Sequence, residues 1–206
     1  MLIDFPPRTT HESELEAAMG VLRTVAGARE AVYVSAPITS GKRLSAWLAR
    51  RDGGAKASGD GGEEEFRREV VRENLEHAKQ IVAALRRECA GVLIDPTSLE
   101  DLPGWTQDDY RDFWGRVIER MAREVVFLDG WHYSNGCSYE FFVARRAGVA
   151  TLDESRRPVT HADGARLIAG AIEETRSLGL PAEFLERVLE ELNKLPARDA
   201  VVPCTK

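Results

Sequence analysis

The chain has 206 residues, 43% hydrophobic and 30% charged, which suits one globular domain with a buried core and excludes a disordered chain. A net charge of −6 excludes the broad basic surface on which general nucleic-acid binding depends. No run approaches the roughly 18 apolar residues of a membrane helix, and Met1 to Arg8 lacks the apolar stretch of a secretion signal, so a cytoplasmic protein without membrane contact is expected. Cys89, Cys137 and Cys204 are widely spaced and form no CxxC pair, which supports neither a disulfide framework nor a zinc site.

Thr10 to Ala28 carries Leu15, Ala18, Met19, Leu22 and Val25 at helical spacing and predicts an amphipathic helix. Ala31 to Ser35 reads as a first strand that breaks at Ala36-Pro37. The hydroxyls and glycine of Ile38 to Gly41 follow it, where open α/β sheets contact ligands, so a phosphate or sugar contact and an ordinary turn are both open readings. Arg51 to Glu65 is glycine-rich and polar, which predicts a mobile surface loop, either disordered or acting as a lid. From Phe66 to Cys89, Val71, Leu75, Ala78, Val82 and Leu85 predict a long amphipathic helix, and Val92 to Ile94 a second strand, at whose carboxyl end Asp95 reads as a ligand contact or as a turn-forming Asp-Pro. Thr106 to Arg123 is the next helix, opened by a Thr106/Asp109 capping box; Asp109 borders its apolar face and Asp112 points nearly opposite.

Strands at Val125 to Leu128 and Val149 to Leu152 complete an alternating pattern that implies an open, mainly parallel sheet of 4–5 strands with helices on both faces. Two C-terminal helices follow, one capped by Thr160 and running to Ser177, the other opened by Pro181; they suit sheet cover or subunit pairing, and nothing in them suggests catalysis. The expected organisation is an N-terminal helix in 1–30, an α/β domain over 31–155 with an insertion at 51–65, and a helical extension over 156–206.

The stretch Trp131 to Gly148 lies between the third and fourth strands and concentrates the chemistry. With Ser138 as N-cap, or a start one or two residues earlier, Glu140 falls in the first helical turn. Steps of three, four and seven from Glu140 reach Val143, Ala144 and Ala147, so its carboxylate lies on the apolar stripe. The positive helix end would keep it ionised, which suits a nucleophile better than a proton donor. Cys137 reads as a buried filler or a reactive thiol near a helix start, His132 as a solvated loop residue or a base or phosphate contact, His77 as surface, Trp114 as core and Trp131 as a wall on which a base stacks.

Three segments, Tyr33-Val34-Ser35-Ala36-Pro37-Ile38, Glu73 to Ala78 (ENLEHA) and Ser134-Asn135-Gly136-Cys137-Ser138-Tyr139-Glu140, together resemble the nucleoside 2-deoxyribosyltransferase-like superfamily. That group includes transferases and 5′-nucleotide N-glycosidases on a flavodoxin-like α/β fold, and the likeness spans Val32 to Thr151. The resemblance implies that Glu140 is a nucleophile forming a covalent glycosyl-enzyme intermediate. It implies that Ser134, where relatives acting on unphosphorylated nucleosides carry an acid, contacts a 5′-phosphate beside the backbone amides of Asn135 and Gly136. Tyr33, Ser35 and Ile38 would then line sugar and base.

The second acid of the group counts back here to Gly115, which leaves Asp109, Asp112 and Asp129 as candidates for assisting the leaving base. The chemistry calls for no metal and no cofactor; the expected partner is a small nucleotide or nucleoside, in a homodimer or higher homo-oligomer as is common in the group. The alternatives are a non-catalytic nucleotide sensor on the same pocket and a TIR-like NAD-cleaving enzyme, which shares with this chain a glutamate on an open α/β sheet.

Overall fold

The computed structural model of the chain describes residues 11–50, 60–98 and 102–196. In chain order these form α1 (Glu12–Ala26), β1 (Ala31–Ser35), α2 (Lys42–Ala49), α3 (Asp60–Phe66), a π-helical segment (Arg67–Arg72) and α4 (Glu73–Glu88). They continue with β2 (Leu93–Ile94), α5 (Gln107–Met121), β3 (Ala122–Phe127), α6 (Asn135–Ala147), β4 (Ala150–Asp153), α7 (His161–Ser177) and α8 (Glu183–Lys194). Every strand predicted from the apolar runs is present, within a few residues at each end.

The four strands form one sheet in the order β2-β1-β3-β4, and all three pairings are parallel. This is a flavodoxin-like/Rossmann-like open sheet. The chain leaves β1 towards β2 and leaves β3 towards β4, on opposite sides, so the sheet reverses direction between β1 and β3; ligands of such sheets bind outside the carboxyl ends of the strands at that reversal. Strand alternation divides the core. Val32, Val34, Val126 and Leu128 pack with Ala78, Val82 and Leu85 of α4 on one face. Ala31, Tyr33, Val125 and Phe127 pack on the other with residues of α1, α5, α6, α7 and α8.

Two local expectations fail. Residues 60–66, expected within a mobile loop, form α3 and run straight into the π segment and α4; the rest of that loop, 51–59, lies outside the described residues. The acidic run Glu63-Glu64-Glu65 ahead of Arg67 and Arg68 continues the helix outwards, with Arg67 donating to Glu63 one turn back at 2.6 Å. The second surprise is α2, which the sequence reading passes over. It is a short helix whose Trp47 is buried edge-on against Phe66, so tertiary packing rather than length sustains it.

The α5 start is as predicted, with Thr106 and Asp109 in a reciprocal capping box. The predicted Thr160 cap of α7 is also formed, and Asp163 completes the box. Beside it, Gly164 lets α7 approach the Phe141 ring so closely that an added Cβ would lie 2.1 Å from Cε1. Gly164→Ala is therefore expected to destabilise the protein by about 1–3 kcal/mol through overpacking, read as a lower urea midpoint at unchanged slope; an unchanged midpoint would show that the α6–α7 contact is loose.

Candidate active site

Ser134, not Ser138, caps α6: its backbone carbonyl accepts from Ser138 N at 2.9 Å, and its Oγ accepts from Cys137 N at 3.4 Å. Ser138 lies inside the helix and donates its hydroxyl to the His132 carbonyl at 3.2 Å. The helix thus begins at Asn135, and Glu140 stands in its second turn rather than its first. From there α6 aims the Glu140 carboxyl at β1, the neighbouring strand across the sheet reversal. Tyr33 Oη donates to Oε1 and Ser35 Oγ donates to Oε2, both at 2.6 Å. Tyr33 and Ser35 alternate with Val34 along β1, which places both hydroxyls on the face covered by α6. The structure therefore joins three residues singled out in the sequence, 105 and 107 positions apart.

Glu140 is 9% exposed. Burial pushes its carboxyl up to about 7, against the downward pull of the Ser35 and Tyr33 hydrogen bonds. The expectation that the helix end keeps it ionised is thereby corrected, since the dipole's influence fades beyond the first turn. The same environment raises the Tyr33 hydroxyl well above its usual range, first through burial and then through the Glu140 charge, with a smaller contribution from Asp95. Cys137 is a buried filler, its thiol pushed up to about 12 by burial and by Glu140.

Beside this carboxylate, the turn after β1 is pinned from an unexpected direction. The Asn74 amide, buried on α4, donates to the Ile38 and Ser40 carbonyls at 2.8 and 3.0 Å and accepts from Arg43 at 2.9 Å. The turn crosses the loop after β3 where Gly41 meets Gly130; both have positive φ, and a Cβ on Gly130 would lie 2.9 Å from Lys42 N. Asn74 stood in the resembling ENLEHA segment without a role; its place three residues after Val71 and four before Ala78, a polar side chain on the apolar stripe, was the signal available.

Thr39, Ser40 and Gly41 of this turn, together with Ser134, Asn135 and Gly136, line a cavity of about 430 Å³. Among the residues left out of the sequence-level site that join them are Arg111 of α5, and Thr175 and Leu185 of the C-terminal helices. The extension, which carried no sign of a functional part, is thus a wall of this cavity. Trp131 is instead a core residue, stacked on Phe141 at 4.7 Å between centroids. Its edge borders a second cavity of about 620 Å³ with Asp129 and His132. His132 is buried rather than solvated, and burial together with the Lys42 charge drops its imidazole to about 4.

The acid candidates are otherwise engaged. Asp109 is buried and its Oδ2 accepts from Thr106 N and Oγ1 in the capping box. Asp112 is held bidentately by Arg116, both contacts at 3.0 Å, and Arg116 reaches on to Glu12, so this aspartate ties α5 to α1. Asp129 pairs with Lys42 at 2.7 Å; burial raises its carboxyl, but the Lys42 hydrogen bond and charge win and hold it low. Gly115, at the place of the missing acid, packs under the Tyr139 ring, 3.2 Å from where its Cβ would stand. Asp95 closes a turn onto Thr97, at 3.1 Å to N and 2.7 Å to Oγ1, and lies at the carboxyl end of β2 beside β1.

No family model, curated protein or solved structure matches the chain. Among the described residues no helix is long and apolar enough to cross a membrane.

Because the folded Glu140 carboxyl sits above its ordinary 4.5, its contribution to stability is complete below about 4.5 and is lost as pH rises through 7. Glu140→Gln should leave the melting temperature near that of the wild type at pH 4.5 and raise it by roughly 5 °C at pH 8, given a shift worth about 3 kcal/mol at most. Equal melting temperatures across that range would show that the carboxyl is not destabilised by burial.

Proposed function

We propose that the protein cleaves the N-glycosidic bond of a nucleoside 5′-monophosphate, as an N-glycosidase or deoxyribosyltransferase, with Glu140 as nucleophile. The observation that carries this reading is the buried Glu140 carboxylate, held by Tyr33 and Ser35 at the carboxyl edge of the sheet. Two hydroxyl donors fix both oxygens yet leave each a free lone pair for attack. Attack on C1′ forms a glycosyl ester while the C1′–N bond breaks, its electron pair leaving on the base nitrogen, which takes up a proton. Water, or a second base, then displaces the carboxylate from C1′. Positive charge develops on the sugar in between, and a carboxylate shielded from water stabilises it better than one in bulk water. That charge also favours the ionised Glu140 at the moment it is needed.

The neighbouring cavity supports the phosphate end of the substrate. The first N–H groups of α6, at Asn135 and Gly136, have no acceptor within the helix, and Ser134 stands with them. A carboxylate at 134 would repel a phosphate dianion there.

One observation favours a second reading, nucleotide binding without turnover. Asp109 and Asp112 are engaged in a cap and an ion pair, and Gly115 supplies no acid. General acid help is worth about 10²–10⁴-fold, so a site without it would bind far better than it cleaves. Asp95 is also engaged, by Thr97 N and Oγ1, but through one oxygen only in these bonds and at the end of β2 beside β1, and it is the carboxylate proposed to supply that help.

Incubation with a panel of ribo- and deoxynucleoside monophosphates, followed by chromatography, should show free base from the wild type and none from Glu140→Gln. The rate should fall as pH drops through about 7, where Glu140 takes up a proton. Nucleotide-induced thermal stabilisation, equal in both proteins and without base release, would select the binding reading. A companion pair separates the acids: Asp95→Asn should slow release by about 10²-fold, whereas Asp112→Asn should lower stability and leave turnover nearly intact.

A further inference from the structure

The cavity over the Ser134–Gly136 turn has a charge pattern of its own. In a chain of net charge −6, no carboxylate is among the described residues that line it, and Arg111 is the one charged group among them. Arg111 is 17% exposed and held from two sides. Its Nη2 donates to Asp108 one turn back on α5, and its guanidinium lies over the Phe184 ring of α8, 4.7 Å from the centroid. Nε is buried without a partner. Arg111 lines the cavity together with the hydroxyl-bearing residues Thr39, Ser40 and Ser134. An arginine so little exposed has lost most of its water, and one ion pair with Asp108 leaves part of its hydrogen-bonding capacity unmet.

We infer that Arg111 binds the substrate's phosphate group, and that the C-terminal helices make the chain selective for phosphorylated ligands by holding it there. The inference rests on the reading of the site as a nucleotide site and extends it to residues outside the resembling segment. Phe184 acts as a positioning residue: its ring fixes the plane of the guanidinium, as stacked arginines require for planar recognition. The α7–α8 turn closes the cavity behind the phosphate, with Thr175, Leu180 and Pro181 presenting a neutral wall. A charge-assisted hydrogen bond inside such a cavity outweighs any that the same arginine could make at an open surface.

The test measures binding to the full-length protein by calorimetry and thermal shift, with three probes: inorganic phosphate, a nucleoside 5′-monophosphate and the same nucleoside without phosphate. Arg111→Met keeps the apolar stem over Phe184 and removes the charge. It should weaken monophosphate binding by roughly 10- to 100-fold and abolish stabilisation by inorganic phosphate, while the affinity for the nucleoside changes less than twofold. Phe184→Leu should weaken the monophosphate several-fold and raise KM for it with kcat little altered.

Thr175→Glu, which leaves Arg111 in place and adds a carboxylate to the neutral wall, should likewise abolish phosphate binding, and it serves if the Arg111 variant folds poorly. Phosphate stabilisation that survives Arg111→Met, or a wild type that no phosphate-bearing probe stabilises, would overturn the inference. Absence of base release alongside Arg111-dependent phosphate binding would instead remove the glycosidase reading and leave the anion site standing.

Discussion

Everything at this site depends on one buried contact, the Glu140 carboxyl between the Tyr33 and Ser35 hydroxyls. Removing a carboxylate from water costs several kcal/mol, and two charge-assisted hydrogen bonds return about 1.5–3 kcal/mol each. At this site burial wins, since the carboxyl is pushed up to about 7 despite both donors. A glutamine or an apolar residue would serve the core better. The fold therefore carries a group at a cost in stability, as proteins do where strain or burial prepares a reaction.

The sheet order turns that contact into a site. Because β1 and β3 are neighbours and their connections leave in opposite directions, α6 starts beside the end of β1 and meets its hydroxyl face. Asn74 then holds the β1 turn from the far side of the sheet, and the Gly41–Gly130 crossing locks it to the loop before α6. Two faces of the core thus converge on one edge. The C-terminal helices close that edge in the same chain, with α8 packed on α6 and its Phe184 under Arg111.

How much of this could be read in advance follows from the range of the signals. Apolar periods and caps are local, so the strands, α5 with its Thr106–Asp109 box and α7 with its Thr160 cap are all legible in sequence. Tyr33, Ser35 and Glu140 were legible as members of one motif set, although no local rule relates residues more than a hundred positions apart. The start of α6 was misplaced because Ser134 and Ser138 are both good caps and only the loop geometry after Asp129 chooses between them. Arg111 and Thr175 were invisible because an arginine on a helix and a threonine near a helix end look like surface until a cavity is built around them. The burial of Trp131 was not legible either, because its stacking partner Phe141 lies ten residues on and only the turn between them brings the rings together.

The most direct test of the central claim is covalent. Rapid quenching of the protein with a 2′-fluoro nucleoside monophosphate, whose electron-poor sugar slows the second displacement, followed by peptide mass spectrometry, reports where the sugar is held. An added fluoro-sugar phosphate is expected on the peptide containing Glu140, absent in Glu140→Gln, with one equivalent of base released. Base released with no adduct, or an adduct on a different residue, would contradict the assignment of Glu140 as nucleophile.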